Sequence, residues 1–157
     1  MPFRLPLQYW RYAGMGDLLS VAGSSAAGAA LLWAACVASG LALRPLLPVD
    51  ETRYLAVALE MWQRGDFLVP WRNGVPYHHK PPLLFWLINL GWTEFGVSET
   101  WGRLVAPLFG LGCVLLTSTL ARSLFRGQPE IAGTAPLLLI GAAFFALFTS
   151  LTFFDTL

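Results

Sequence analysis

The chain has 157 residues; 56% are apolar, only 12% are charged, and the net charge is +1. That charged share is about half of what soluble domains carry, which argues against an ordinary soluble globule. The near-zero net charge argues against a basic nucleic-acid-binding surface. Seven Trp and eleven Phe suit a chain that meets membrane interfaces, where aromatic rings concentrate.

Leu18 to Leu43 is the first stretch without a charge. At about 1.5 Å per residue it outruns a hydrocarbon core of roughly 30 Å. Arg4 and Arg11 before it imitate the start of a signal peptide, but the apolar run is too long for a cleaved one. A retained membrane helix is expected. Leu104 to Ala121 and Ile131 to Phe154 are the other two charge-free runs, so three transmembrane helices are predicted at 18–43, 104–121 and 131–154. Cys36 and Cys113 lie inside apolar runs and are expected to be unpaired small hydrophobes.

Between Arg44 and Arg103 the character changes. Six basic side chains, six acidic ones (Asp50, Glu51, Glu60, Asp66, Glu94, Glu99) and both histidines fall here, so any chemistry belongs here. Glu51 to Arg64 reads as a helix with a mostly apolar surface and a charged stripe, stopped by Gly65. Such a helix suits the membrane surface. Phe67 to His79 reads as extended, with a tight turn at Asn73-Gly74. Pro81-Pro82 opens a second helix, Leu83 to Trp92, too short to span and expected to lie at the interface or re-enter. The predicted fold class is therefore all-α integral membrane, three spanning helices with two interfacial helices between the first and second.

Three spans put the 44–103 segment and Asp155 on one side of the bilayer. Arg4, Arg11, Arg122 and Arg126 favour a cytoplasmic N-terminus and a cytoplasmic second loop. The six basic residues of the 44–103 segment pull the other way in a simple count. Four of them sit in a helix or beside a carboxylate, so the segment is expected on the non-cytoplasmic side. Because the sequence stops at the edge of the third run, it is expected to be the N-terminal part of a longer protein.

The informative order is Asp50-Glu51-Thr52-Arg53-Tyr54, then Gly65-Asp66, Val69-Pro70, Asn73-Gly74 and Lys80-Pro81-Pro82. This pattern resembles the polyprenyl-phosphate-dependent glycosyltransferases of the GT-C architecture, above all the aminoarabinose lipid A transferases and the dolichyl-phosphate-mannose protein mannosyltransferases. The resemblance covers about Pro48 to Asp155. It implies sugar transfer from a polyprenyl-phosphate donor, with an undecaprenyl carrier expected, to a glycolipid such as lipid A or to a protein. It also implies a bacterial inner-membrane location with the catalytic loop on the periplasmic side. The transition state resembles an oxocarbenium ion. The leaving lipid phosphate needs fixed cations, and the acceptor needs a carboxylate.

Under that resemblance Asp50 is the general base and Asp155 a second acidic position. Lys80, Arg53, Glu51 and Tyr54 are the expected substrate-binding residues. Each also has a plainer reading. Asp50 precedes a helix, where Asp is a preferred N-cap. Glu51 suits the dipole of the first turn, and Lys80 suits an interfacial lysine with its stem along apolar surface. Arg53 can pair with Glu51 or Glu60, Tyr54 and Tyr77 suit packing, and Arg103 can pair with Glu99. His79 stands where many relatives carry an acid before the lysine; it is a weak metal candidate, and a divalent metal is possible without being required. Two other functions fit parts of the pattern. One is a transporter or channel subunit, disfavoured because the spans are nearly bare of polar groups. The other is a non-catalytic small membrane protein, if the chain ends at Leu157.

Overall fold

The structure is a computed structural model that describes residues 26–152. Asp155, residues 18–25 of the first predicted span and the last residues of the third lie outside the described residues. The described chain forms α1 (Ala26–Leu43), α2 (Asp50–Arg64), a two-residue-per-strand hairpin of β1 (Trp71–Arg72) and β2 (Val75–Pro76), α3 (Leu83–Phe95), α4 (Glu99–Leu124), α5 (Pro129–Gly141) and α6 (Ala143–Ser150). It is an all-α integral membrane fold. Two of its helices, α1 and α4, are long and apolar enough to cross a bilayer, and α5 with α6 makes a third crossing if the bent pair counts as one span.

Sequence dictates several boundaries locally. α2 buries Tyr54, Leu55, Ala58 and Met61, a helical face, and Gly65 ends it in the left-handed conformation at φ 66°. Asn73 and Gly74 both have positive φ, 52° and 78°, as the favoured two-residue hairpin turn requires. Pro82 precedes the first turn of α3. Ser98 caps α4, its hydroxyl accepting the Trp101 N–H.

The third apolar run departs from expectation. It is not one straight helix over 131–154 but two helices bent by 69°. Gly141 ends α5, and Ala142 is extended (φ −72°, ψ 114°). The bend turns α6 back onto the bundle, where Phe145 meets Trp33 at 5.4 Å between ring centroids. Interruptions of this kind come from local glycine or proline combined with tertiary contacts, and hydropathy is blind to them.

Two cores result. The bundle core is centred on Trp33, Val37, Val114 and Ile140. Trp33 is buried, and its indole N–H donates to the Pro107 carbonyl at 3.0 Å, which removes an unpaired donor from an apolar interior. Gly110 gives this ring room: a Cβ there would stand 2.7 Å from it. A small residue at a helix crossing is the usual membrane solution. The second core joins α2, α3 and α4 through Leu55, Met61, Phe85, Ile88, Trp92 and Val105. Burying each large side chain contributes about 1.5–3 kcal/mol.

Gly91 makes the α3–α4 contact possible. A Cβ at this position would lie 1.9 Å from the Trp101 ring, whose N–H is held by the Leu87 carbonyl at 3.2 Å. Gly91→Ala is expected to cost about 1–3 kcal/mol through overpacking, read as a lower thermal midpoint in detergent. Gly112→Ala, whose Cβ would meet nothing, is the control and is expected to leave the midpoint unchanged or raised. Equal behaviour of the two variants would refute the packing role of Gly91.

Candidate functional site

The 44–103 segment is fastened by its own polar residues. Glu60 on α2 accepts the Gly74 N–H at 2.9 Å and two bonds from Arg64 at 2.8 and 3.0 Å. Arg64 in turn lies over the Trp71 ring at 4.4 Å. Asp66 accepts the amides of Leu68 and Val69 and the Trp71 indole N–H. These bonds hold its carboxyl below the ordinary range, the Leu68 amide contributing most. Gly65, Asp66, Asn73 and Gly74 thus have local reasons to be where they are. They bend the chain back so that Tyr77 reaches the α2–α3 core, with the Tyr77 N–H on the Pro70 carbonyl at 2.7 Å.

This return path gathers the expected site residues. Asp50 opens α2 and forms an ion pair with Arg53 one turn on. Arg53 lies 5.2 Å from the centroid of the Tyr54 ring. Tyr54 is buried against Phe85, 6.4 Å between centroids; Phe85 meets Tyr77 at 6.2 Å, and Tyr77 meets His79 at 5.4 Å. Lys80 follows, half-buried, just before Pro81-Pro82. A continuous wall of rings therefore links the Asp50–Arg53 pair to the stretch that ends in Lys80. Burial works against the charge on Arg53, yet Tyr54, Tyr77 and Asp50 outweigh it and raise its pKa, so it is charged at any working pH. Its Nε is buried and has no hydrogen-bond partner among the described residues.

Asp50 does not cap its helix, as the sequence had suggested. Val49 holds the N-cap position, no side chain caps α2, and Asp50 is the first helical residue. The cause lies in Val49, whose φ of 80° and ψ of −60° match a rare and strained γ-turn. Arg53 pairs with Asp50 rather than with Glu51 or Glu60. The expectation for Tyr54 and Tyr77 as packing residues agrees with their burial. His78 and His79 stack on each other at 4.8 Å. No group of three or more His, Cys, Asp or Glu side chains able to hold a metal occurs among the described residues.

Glu51 lies elsewhere. It is fully buried and faces the end of the bundle. Arg44 donates to it from both terminal nitrogens, at 2.5 and 3.2 Å. Leu47 N–H donates at 2.8 Å, and Thr152 donates its N–H at 2.9 Å and its hydroxyl at 3.2 Å. A carboxylate has about four acceptor positions, so no capacity remains for the substrate contact first expected of Glu51. Burial pushes its pKa up, but the Arg44, Leu47 and Thr152 bonds outweigh that and leave it lowered.

Two residues of this region were not singled out by sequence reasoning. Arg44 looked like the ordinary boundary of a span, and Thr152 like part of an apolar run; neither composition nor spacing marks them. Arg103 was expected to serve Glu99, which it meets at 3.4 Å. Its better bonds go to the carbonyls of Arg44 at 2.8 Å and Gly40 at 3.3 Å, where a cation favours the C-terminal end of α1. The ends of α1 and α6 and the start of α4 therefore converge. The beginning of the 44–103 segment touches the end of the third apolar run.

The geometry defines an all-α membrane chain with an acidic–basic pair at one end of a row of aromatic rings. The chain is similar to several bacterial proteins named undecaprenyl phosphate-alpha-4-amino-4-deoxy-L-arabinose arabinosyl transferase. One, from Pseudomonas savastanoi pv. phaseolicola, is 33% identical over 97 residues, 62% of this chain and 18% of that protein. Another, from Serratia proteamaculans, is 39% identical over 103 residues, 60% of this chain and 18% of that protein. An uncharacterized protein of Aquifex aeolicus is 41% identical over 71 residues, 45% of this chain and 17% of that protein. The chain spans less than a fifth of the length of each of these relatives. No protein-family model matches it, and no solved structure matches it.

Proposed function

We propose that the protein is a GT-C glycosyltransferase that moves a sugar from a polyprenyl-phosphate carrier to a hydroxyl or phosphate acceptor on a glycolipid or protein. In this reading the 44–103 segment is its catalytic loop on the non-cytoplasmic face. The similarity to arabinosyl transferases that are named for a lipid-linked donor supports the chemistry. The observation that carries it to residues is the Asp50–Arg53 pair on the aromatic wall that runs to Lys80.

The acceptor oxygen attacks the anomeric carbon, and the bond from that carbon to the carrier phosphate breaks. The phosphate leaves with the electron pair. Asp50 takes the proton of an acceptor hydroxyl, and Arg53 and Lys80 stabilise the charge that develops on the phosphate. Arg53 suits this, since its side chain is partly exposed and guanidinium nitrogens in a fixed fork recognise phosphate oxygens. Asp155 follows Thr152 by three residues in the sequence and is assigned as the second acidic group of the site.

A panel of radiolabelled polyprenyl-phosphate sugars, offered to the full-length protein in membranes with extracted glycolipid or protein acceptors, tests the function. Transfer from at least one donor is expected. No transfer from any of them would refute the reading. With an active donor in hand, Lys80→Ala is expected to raise donor KM by roughly 10–100-fold, the equivalent of losing a hydrogen bond to a charged group. The thermal midpoint is expected to stay close to that of the parent. A lowered midpoint with unchanged donor KM would make Lys80 structural.

A further inference from the structure

We infer that Glu51 is the positioning residue of this site, a buried tie that fixes Asp50 and the end of α6 at Thr152 relative to one another. The inference rests on the reading of Asp50 as the base. Glu51 itself meets no substrate, because it is fully buried and its acceptor positions are filled.

Three observations carry it. First, the donors come from distant parts of the chain. Leu47 lies four residues before Glu51, whereas Thr152 lies 101 residues after it. One carboxylate therefore holds two chain segments that have no covalent reason to meet. Second, the tie straddles a strained turn. Val49 sits between Leu47 and Glu51 at φ 80°, a conformation costly for a β-branched residue that persists only where its surroundings over-determine it. The Leu47 N–H bond to Glu51 closes the chain around Val49 and so sets the direction in which Asp50 leaves it. Third, the tie is anchored. Arg44, which grips Glu51, presents its own carbonyl to Arg103 of α4. Asp50 thus stands on a frame shared by α1, α2, α4 and the end of α6.

A misplacement of about 1 Å at a reacting group can cost 10²-fold in rate. Glu51→Gln in the full-length protein is accordingly expected to lower kcat roughly 10–100-fold, with donor KM within about twofold of the parent. The amide nitrogen of Gln meets the Arg44 guanidinium as donor against donor. Arg44→Gln/Glu51→Gln restores a neutral pair, and at least part of the lost kcat is expected to return. A second measurement needs no activity. With Cys36, Cys113 and every other native cysteine of the full-length protein replaced by Ala, Leu47→Cys and Leu151→Cys are oxidised in membranes, with and without Glu51→Gln. Cross-linking is expected to be several-fold slower when Glu51 is replaced.

Unchanged cross-linking, or a Glu51→Gln variant with parental kcat, would overturn the proposal. So would a loss that falls on donor KM alone, since that would make Glu51 a binding residue. If the parent protein transfers no sugar, the proposed function fails, and cross-linking alone decides whether Glu51 ties the two segments.

Discussion

Asp50→Asn is expected to lower sugar transfer by about 10²–10⁴, the usual worth of a general base, while the protein folds as before. The two halves of this expectation have separate grounds. The activity loss follows because an amide cannot take the proton of the acceptor hydroxyl. Folding is expected to survive because the Asp50 side chain is 41% exposed and caps nothing. Its ion pair with Arg53 is one turn apart on an open helix face, and such pairs contribute about 0–1 kcal/mol. Asp50→Asn and Asp50→Glu are compared by initial rates at saturating donor and by thermal midpoint. Near-parental transfer by Asp50→Asn would remove the base role, whatever the stability.

Glu51→Ala is expected to add a large stability loss to any fall in kcat. Removing this carboxylate strands the Arg44 guanidinium, the Leu47 and Thr152 amides and the Thr152 hydroxyl together. Breaking a buried pair by deleting one partner costs about 3–5 kcal/mol. Arg44 is 27% exposed, and water can reach it in the variant, which favours the lower end, about 3 kcal/mol. It is read as a lowered thermal midpoint of the full-length protein. The pH dependence has a definite sign. Because the folded pKa of Glu51 lies below its ordinary value of 4.5, its contribution is complete above that value. It is lost as the pH falls through the lowered one. The parent is therefore expected to lose stability on acidification below about pH 4.5, and Glu51→Ala to lose less over the same window. Identical acid profiles for the two proteins would show that Glu51 is not the group responsible.

The divergent fates of neighbouring residues explain how far the sequence could be read. The membrane class followed from hydropathy alone, since charge-free runs of this length have few alternatives to burial in lipid. Gly65, Asn73-Gly74 and Pro81-Pro82 marked a helix end, a turn and a helix start, because each acts through its own backbone angles. The nearness of Asp50, Arg53 and Tyr54 was legible for a similar reason: they lie within one turn or so of a single helix, whose geometry is fixed locally. Asp50 and Glu51, by contrast, are adjacent and chemically alike, and only packing separates them. α2 turns one toward the open face and the other into the bundle, where partners wait that are as distant as Thr152. The bend at Ala142, the service of Arg103 to α1 and the strained Val49 escaped for the same reason. Composition and periodicity report on neighbours along the chain, whereas a buried polar group answers to whichever donors and acceptors the fold brings within about 3 Å.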